Sequence, residues 1–128
     1  LKHLKSRSTA PWLCIGDYNE ILALGEKEGG QPKPIRLMNN FRSMLLHNGL
    51  IDLAFTGNVF TWNNGRGGDD FVQLRLDRAC TIVEWRSLFP QVRVSHLQAS
   101  YFDHVPILLN TNPTSHQVRA KKFPRRFE

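Results

Sequence analysis

The stretch Trp12-Leu13-Cys14-Ile15-Gly16-Asp17-Tyr18-Asn19 joins a continuous apolar run to a polar end. An apolar run of this length that stops at a glycine is typical of a short buried strand. In extended backbone, side chains two positions apart lie on the same side, so Asp17 and Asn19 are expected to face one way. Gly-Asp and Asn are also ordinary turn residues, and from spacing alone a simple turn is the favoured interpretation.

Helical and strand patterns alternate along the rest of the chain. Between residues 35 and 46, apolar side chains recur every three or four residues, which predicts a helix, and Asn48-Gly49 supplies its stop. Strands are predicted over residues 50–54, 59–62, 71–79, 92–97 and 105–109, and a short helix over 84–89. A Gly-rich hairpin loop is predicted at 63–68. Strands interleaved with helices predict an α+β fold, or a layered α/β one.

Length and composition limit this chain to one domain. Its 128 residues are 41% hydrophobic and 10% aromatic, which predicts a packed core. We expect the domain to occupy residues 1–110 and a basic linker or tail to occupy 111–128. Buried reduced thiols are the expected state of Cys14 and Cys80. No apolar run approaches the ~20 residues of a membrane span, so no membrane contact is expected.

The net charge of +6 is concentrated at the two ends of the chain, and the middle is close to neutral. Basic ends can contact nucleic-acid phosphates by releasing counterions. They can equally be solvated linkers, which is the commoner fate of short charge runs. Both interpretations stay open, and the charge alone does not identify a partner.

Two further polar islands interrupt the apolar pattern, at Arg75-Leu76-Asp77-Arg78 and Phe102-Asp103-His104. In the first, Asp77 falls on the opposite strand face from Leu76. Taken alone, this island predicts an exposed strand face with Arg75 and Arg78 at the surface. Taken alone, the second island predicts a histidine at the edge of a strand.

The three islands together, in this order, resemble the endonuclease/exonuclease/phosphatase superfamily, whose members cleave phosphoester bonds with a divalent metal. The surrounding residues are similar to those of plant LINE-type (non-LTR) retrotransposon endonucleases. These residues are Pro11-Trp12-Leu13-Cys14-Ile15, Phe60-Thr61-Trp62, Phe89-Pro90 and His96-Leu97. The resemblance runs from about Trp12 to Leu109 and covers the later half of such a domain. It implies the second half of a four-layer α/β/β/α sandwich.

The resemblance also implies roles for four catalytic residues. Asp17 would orient or deprotonate the attacking water, and Asn19 would donate to a phosphate oxygen or hold that carboxylate in place. Asp77 would accept a hydrogen bond from His104 and fix its tautomer. The imidazole of His104 would then stabilise charge on the phosphorus or take part in proton transfer.

The same resemblance implies a metal and partners. Asp103 would bind a hard divalent ion, Mg²⁺ or Mn²⁺. DNA is the implied substrate, Arg66 in the hairpin loop is a further candidate for contact with it, and a reverse transcriptase domain would follow in the parent polyprotein. An intracellular location is expected, nuclear if the site functions. Trp62 is interpreted as a packing residue of the core or hairpin.

Two departures from the family pattern affect the expected activity. Phe102 stands where the family has a small serine, and a ~1 Å displacement of a catalytic loop costs on the order of a hundredfold in rate. The metal-binding glutamate of the family's first half has no counterpart in these residues. We therefore expect the free chain to have little or no activity. The alternatives are a non-catalytic DNA-binding or interaction fragment, and a phosphoesterase of the same superfamily that acts on small substrates.

Overall fold

A computed structural model of the protein describes residues 12–98 and 103–113. Phe102 and all but the first three residues of the predicted tail therefore lie outside the described residues. Two α-helices lie within these ranges, α1 (Ile35–His47) and α2 (Val83–Leu88). The strands are β1 (Leu13–Asp17), β2 (Lys27–Glu28), β3 (Ile51–Asp52), β4 (Phe55–Thr56), β5 (Trp62–Asn63), β6 (Gln73–Leu74), β7 (Asp77–Thr81), β8 (Arg93–His96) and β9 (Ile107–Asn110).

Helix α1 follows from the sequence pattern that predicted it. It starts after Pro34, which has extended backbone, and it buries Met38 and Phe41 on one face. At its end the Asn48 side-chain amide donates to the Met44 carbonyl at 2.9 Å. The backbone then reverses through a glycine with a positive φ, a conformation that glycine adopts without strain. The predicted helix and its stop are confirmed.

The central sheet has the strand order β1-β7-β3, and all its pairs are antiparallel. On one face, Cys80 packs with Phe41 and Leu45 of helix α1. On the other face, Ala79 packs with Val94 and Leu109, which belong to a second sheet of order β4-β8-β9. A helix, the central sheet and the second sheet thus form three successive layers, which confirms the α+β class.

A third small sheet of order β2-β6-β5 lies beside these layers and carries the predicted hairpin. The continuous strand predicted over 71–79 is wrong, because the chain leaves β6 after Leu74 and enters β7 at Asp77. The backbone amides of Leu76, before β7, and of Asp77, its first residue, donate to the side-chain oxygen of Thr61 instead of to a strand carbonyl. This break passes the chain from the small sheet into the central one.

Arg75 and Arg78 are buried, so the prediction that they lie at the surface is wrong. Arg78 is 0% exposed and donates to Glu26 Oε1 at 2.8 Å and to Asp52 Oδ2 at 3.0 Å. Arg75 donates to the same two carboxylates at 2.9 Å each. Paired carboxylates allow a guanidinium to be buried, because they replace the hydrogen bonds it loses with water.

Cys14 and Cys80 are free thiols that face each other across β1 and β7. Cys80 is fully buried and Cys14 is half-buried. Burial raises the pKa of the Cys80 thiol to about 11. Neither helix of the described residues is long and apolar enough to cross a bilayer.

Candidate active site

Two aspartates meet where strands β1 and β7 end and begin. Asp17 is the cross-strand partner of Asp77. The Tyr18 amide donates to the Leu76 carbonyl at 2.8 Å, so the neighbouring pair is the hydrogen-bonded one. Because such pairs alternate along an antiparallel ladder, Asp17 and Asp77 form a pair without backbone hydrogen bonds, whose side chains approach more closely. Two carboxyl groups are therefore held side by side on one face.

His104 completes this group from a different part of the chain. Its Nδ1 lies 2.7 Å from Asp77 Oδ2, and its Nε2 lies 3.8 Å from Asp17 Oδ2. The Asp77 side chain is only 13% exposed, whereas those of Asp17 and His104 are 44% and 41% exposed. A carboxylate bound to Nδ1 selects the tautomer with a proton there and turns Nε2 outward. The accessible edge of the site thus consists of Nε2 and the Asp17 carboxylate.

Thr61 connects the two chain segments that carry Asp77 and His104. Its Oγ1 accepts hydrogen bonds from the Leu76 and Asp77 amides, each at 3.0 Å. Its carbonyl accepts from the Val105 amide at 2.6 Å, one residue after His104. Trp62, the next residue, forms an isolated antiparallel bridge with His104. The predicted packing role of Trp62 fits its place in the small sheet, but the contacts of Thr61 have no sequence signal beyond the Phe60-Thr61-Trp62 resemblance.

Asn19 acts on Asp17 through its backbone. Strand β1 ends at Asp17, and Asn19 has a left-handed φ of 58°. The expectation that extended backbone carries both side chains to one side is therefore wrong. The Asn19 amide instead donates to Asp17 Oδ1 at 2.7 Å, which is an Asx-type turn that orients the carboxylate.

Asp103 and Arg66 lie at the margin of this arrangement. The Asp103 carbonyl accepts from the Asn63 amide at 3.1 Å, which ties the segment before His104 to the base of the hairpin. Its exposed side chain is not part of the group that draws Asp17, Asp77 and His104 together. Arg66 is exposed in the hairpin loop. Their roles as metal ligand and DNA contact stay predictions.

The three grouped side chains offer a partial set of ligands for a divalent ion. One ligand atom from each of Asp17, Asp77 and His104 lies within 4.8 Å of the others. Carboxylate oxygens suit Mg²⁺ and Mn²⁺, and imidazole suits the transition metals better than Mg²⁺. Since Asp77 already holds Nδ1, the donors that face outward are Asp17 and Nε2. The set fits a divalent ion that completes its coordination with water or other groups.

No protein-family model, no curated protein and no solved structure matches the chain. Its function therefore has to be inferred from the side chains that the fold brings together.

Proposed function

We propose that this chain supplies the Asp17, Asp77 and His104 part of a divalent-metal-dependent phosphodiesterase site, of the endonuclease/exonuclease/phosphatase type, that cuts DNA. The observation that carries this proposal is the 2.7 Å contact between Asp77 and His104 beside Asp17. A half-buried carboxylate, an oriented imidazole and an exposed carboxylate are the groups that water attack on a phosphodiester needs. Three sequence-distant islands converge there.

Each residue has a distinct task in this proposal. Asp77 holds the imidazole of His104 through Nδ1 and keeps Nε2 facing outward. His104 then presents Nε2 to a phosphoryl oxygen and offsets the negative charge that builds up there. Asp17, with 44% of its side chain exposed, orients the attacking water and accepts its proton. The backbone amide of Asn19 keeps the Asp17 carboxylate in place by donating to its Oδ1.

Mg²⁺ or Mn²⁺ would supply Lewis-acid stabilisation of charge on the phosphate oxygens. Asp103 is the proposed ligand, and His104 Nε2 keeps its role towards the phosphate. In this proposal the chain forms the second half of a four-layer α/β/β/α sandwich. The first half would provide the remaining metal-binding carboxylate. DNA is the proposed partner, with a reverse transcriptase domain in the same polyprotein and a nuclear location.

Nicking of supercoiled plasmid in Mg²⁺ tests the proposal, with the chain joined to the first half of a LINE-type endonuclease domain. We expect nicking that EDTA abolishes and that His104→Gln and Asp17→Asn each lower at least a hundredfold. Asp69→Asn, in the exposed hairpin loop, is the matched control and should retain full activity. Nicking that survives His104→Gln would contradict the assigned roles.

Substrate choice separates the proposal from its alternatives. Release of phosphate from small phosphoesters without plasmid nicking would indicate a phosphatase. DNA binding that falls with added salt and is indifferent to His104→Gln, with no cleavage, would indicate a binding fragment. Either result would replace the endonuclease assignment.

A further inference from the structure

We propose that Thr61 is the positioning residue of the Asp77–His104 pair, and that its side-chain oxygen fixes where Asp77 sits. This inference rests on the proposed function for its catalytic meaning, although the placement itself can be measured without any substrate. Thr61 lies outside the group of acids and imidazole, and it is 0% exposed.

The first step concerns Asp77. Leu76 lies between β6 and β7, and Asp77 is the first residue of β7; the backbone amides of both donate to Thr61 Oγ1 at 3.0 Å. A hydroxyl oxygen has two lone pairs, so one threonine can satisfy both amides. A buried amide left without an acceptor costs roughly 1–3 kcal/mol. The chain is therefore held with the start of β7, and with it Asp77, at a fixed distance from Thr61.

The second step concerns His104. The Thr61 carbonyl accepts from the Val105 amide at 2.6 Å, and the Thr61 amide donates to the Leu74 carbonyl at 3.0 Å. These backbone bonds fix Thr61 between the small sheet and the segment of His104. One residue thus holds the segment of His104 by its backbone and that of Asp77 by its side chain. The 2.7 Å contact between Asp77 and His104 depends on both holds.

The chemistry distinguishes threonine from its isostere. Valine has the same shape but no oxygen, so Thr61→Val removes the acceptor and keeps the backbone bonds. Serine keeps the oxygen and loses only a methyl group, so Thr61→Ser is expected to preserve the placement of Asp77.

Thr81 provides a matched control for loss of a buried hydroxyl. It is also 0% exposed, and its Oγ1 donates to the Trp12 carbonyl at 2.9 Å, at the other end of β7 from Asp77. Thr81→Val should lower stability as Thr61→Val does but leave the Asp77–His104 contact unchanged. A purely structural role for Thr61 would make the two variants alike.

The experiment measures the tautomer of His104 from its imidazole ¹⁵N chemical shifts, in the free chain at a pH where the ring is neutral. We expect a single Nδ1–H tautomer in the unmodified chain, in Thr61→Ser and in Thr81→Val. In Thr61→Val we expect a mixture with the Nε2–H form. In the joined endonuclease, Thr61→Val should lower kcat about a hundredfold with little change in KM, because a ~1 Å misplacement is enough for that loss.

Two results would overturn the inference. One is a folded Thr61→Val chain with the unmodified tautomer pattern, and the other is an equal change of tautomer in Thr81→Val. If Thr61→Val does not fold, amide hydrogen exchange in the unmodified chain decides. Leu76 and Asp77 amides that exchange as slowly as those of β7 support the inference, and amides that exchange as fast as in an unfolded peptide refute it. A failure of the plasmid assay alone would refute the endonuclease and leave these measurements standing.

Discussion

At the scale of single residues, Asp77 and Asp17 differ in burial, and this difference suits the two carboxylates to different tasks. Asp77 has a side chain that is 13% exposed and accepts from His104, whereas Asp17 is 44% exposed and faces outward. The first is suited to holding a ring and the second to meeting water. The register of β1 on β7 places both carboxylates on one face, but β7 is the central strand of the sheet and β1 is an edge strand.

Replacing the inner carboxylate by an amide tests this division. We expect Asp77→Asn to place an N–H group opposite Nδ1 and so to favour the wrong tautomer of His104. In the joined endonuclease the nicking rate should fall at least a hundredfold. The ¹⁵N shifts of the His104 ring should show the Nε2–H form. An unchanged nicking rate, measured beside the Asp69→Asn control, would contradict the role given to Asp77.

His96 is expected to make stability depend on pH. Burial lowers the pKa of His96, and the positive charge of Arg75 lowers it further. The hydrogen bond from its Nδ1 to the Asn58 carbonyl at 2.6 Å and the charge of Asp77 act to raise the pKa, but the net direction is down. The unfolded chain therefore takes up the proton first. Stability should be complete above pH about 6.5, the ordinary histidine value, and should fall as the pH drops below it.

Urea unfolding between pH 7.5 and 5 measures this effect. The unmodified chain should lose stability over that range, and His96→Gln should flatten the profile. His47→Gln removes an exposed histidine at the end of helix α1 and should leave the profile as it is. A profile that stays steep in His96→Gln would assign the effect to another group.

At this scale the sequence predicted the acids and the imidazole but missed what holds them. The convergence of Asp17, Asp77 and His104 was expected from the family resemblance alone, because the strand predicted over 71–79 carried Asp77 in its interior. The burial of Arg75 could not, because its partner Asp52 lies 23 residues away along the chain. The two hydrogen bonds that Thr61 Oγ1 accepts from backbone amides could not be predicted either, because they form only where the chain passes from β6 into β7.

At the scale of elements, helix α1 contributes most through one aromatic residue. Phe41 is buried against Cys80, and its ring lies 5.7 Å from the Tyr18 ring and 5.3 Å from the Arg78 guanidinium carbon. It therefore joins the helix to both the central sheet and the buried ion pairs. The helix was predicted almost to the residue because its 3.6-residue period is long enough to recognise, whereas two-residue strands such as β3 and β4 carry no such period.

Truncation of this ring should be costly. We expect Phe41→Ala to lower the free energy of unfolding by about 3–5 kcal/mol, the range for removing a buried aromatic side chain. Leu46→Ala is the control, since Leu46 lies on the same helix with 73% of its surface exposed, and its effect should stay within about 0.5 kcal/mol. Equal losses in urea unfolding would show that α1 does not pack on the central sheet as described.

At the scale of the whole molecule, Glu26, Asp52, Arg75 and Arg78 tie distant segments together. Burial acts to raise the pKa of Glu26, but hydrogen bonds from Arg78 and the Leu22 amide, with the two arginine charges, outweigh it and leave the pKa below its ordinary value. Protonation of Glu26 therefore favours the unfolded chain. The stability that Glu26 contributes is fully present above its ordinary pKa value and is lost as the pH falls below about 4.3.

Removing the charge of Glu26 tests this network. We expect Glu26→Gln to lower stability near neutral pH by about 3 kcal/mol, since it leaves a buried arginine poorly compensated. It should also make the loss of stability below pH about 4.3 less steep. Glu84→Gln, at the exposed start of α2, should change neither. Urea unfolding at pH 7 and pH 3.5 measures both effects, and equal behaviour of the two variants would count against the network.

The unequal burial of Cys14 and Cys80 allows thiol labelling to detect the separation of strand β1 from strand β7. A thiol-specific reagent needs a sulfur that is both deprotonated and accessible. Cys80 meets neither condition, because it is fully buried and its pKa is raised to about 11. The half-buried Cys14 should react first, and modification of Cys80 should wait until β1 separates from β7. Mass spectrometry of a labelling time course would then follow the separation of the two strands that carry Asp17 and Asp77, with no substitution in the chain.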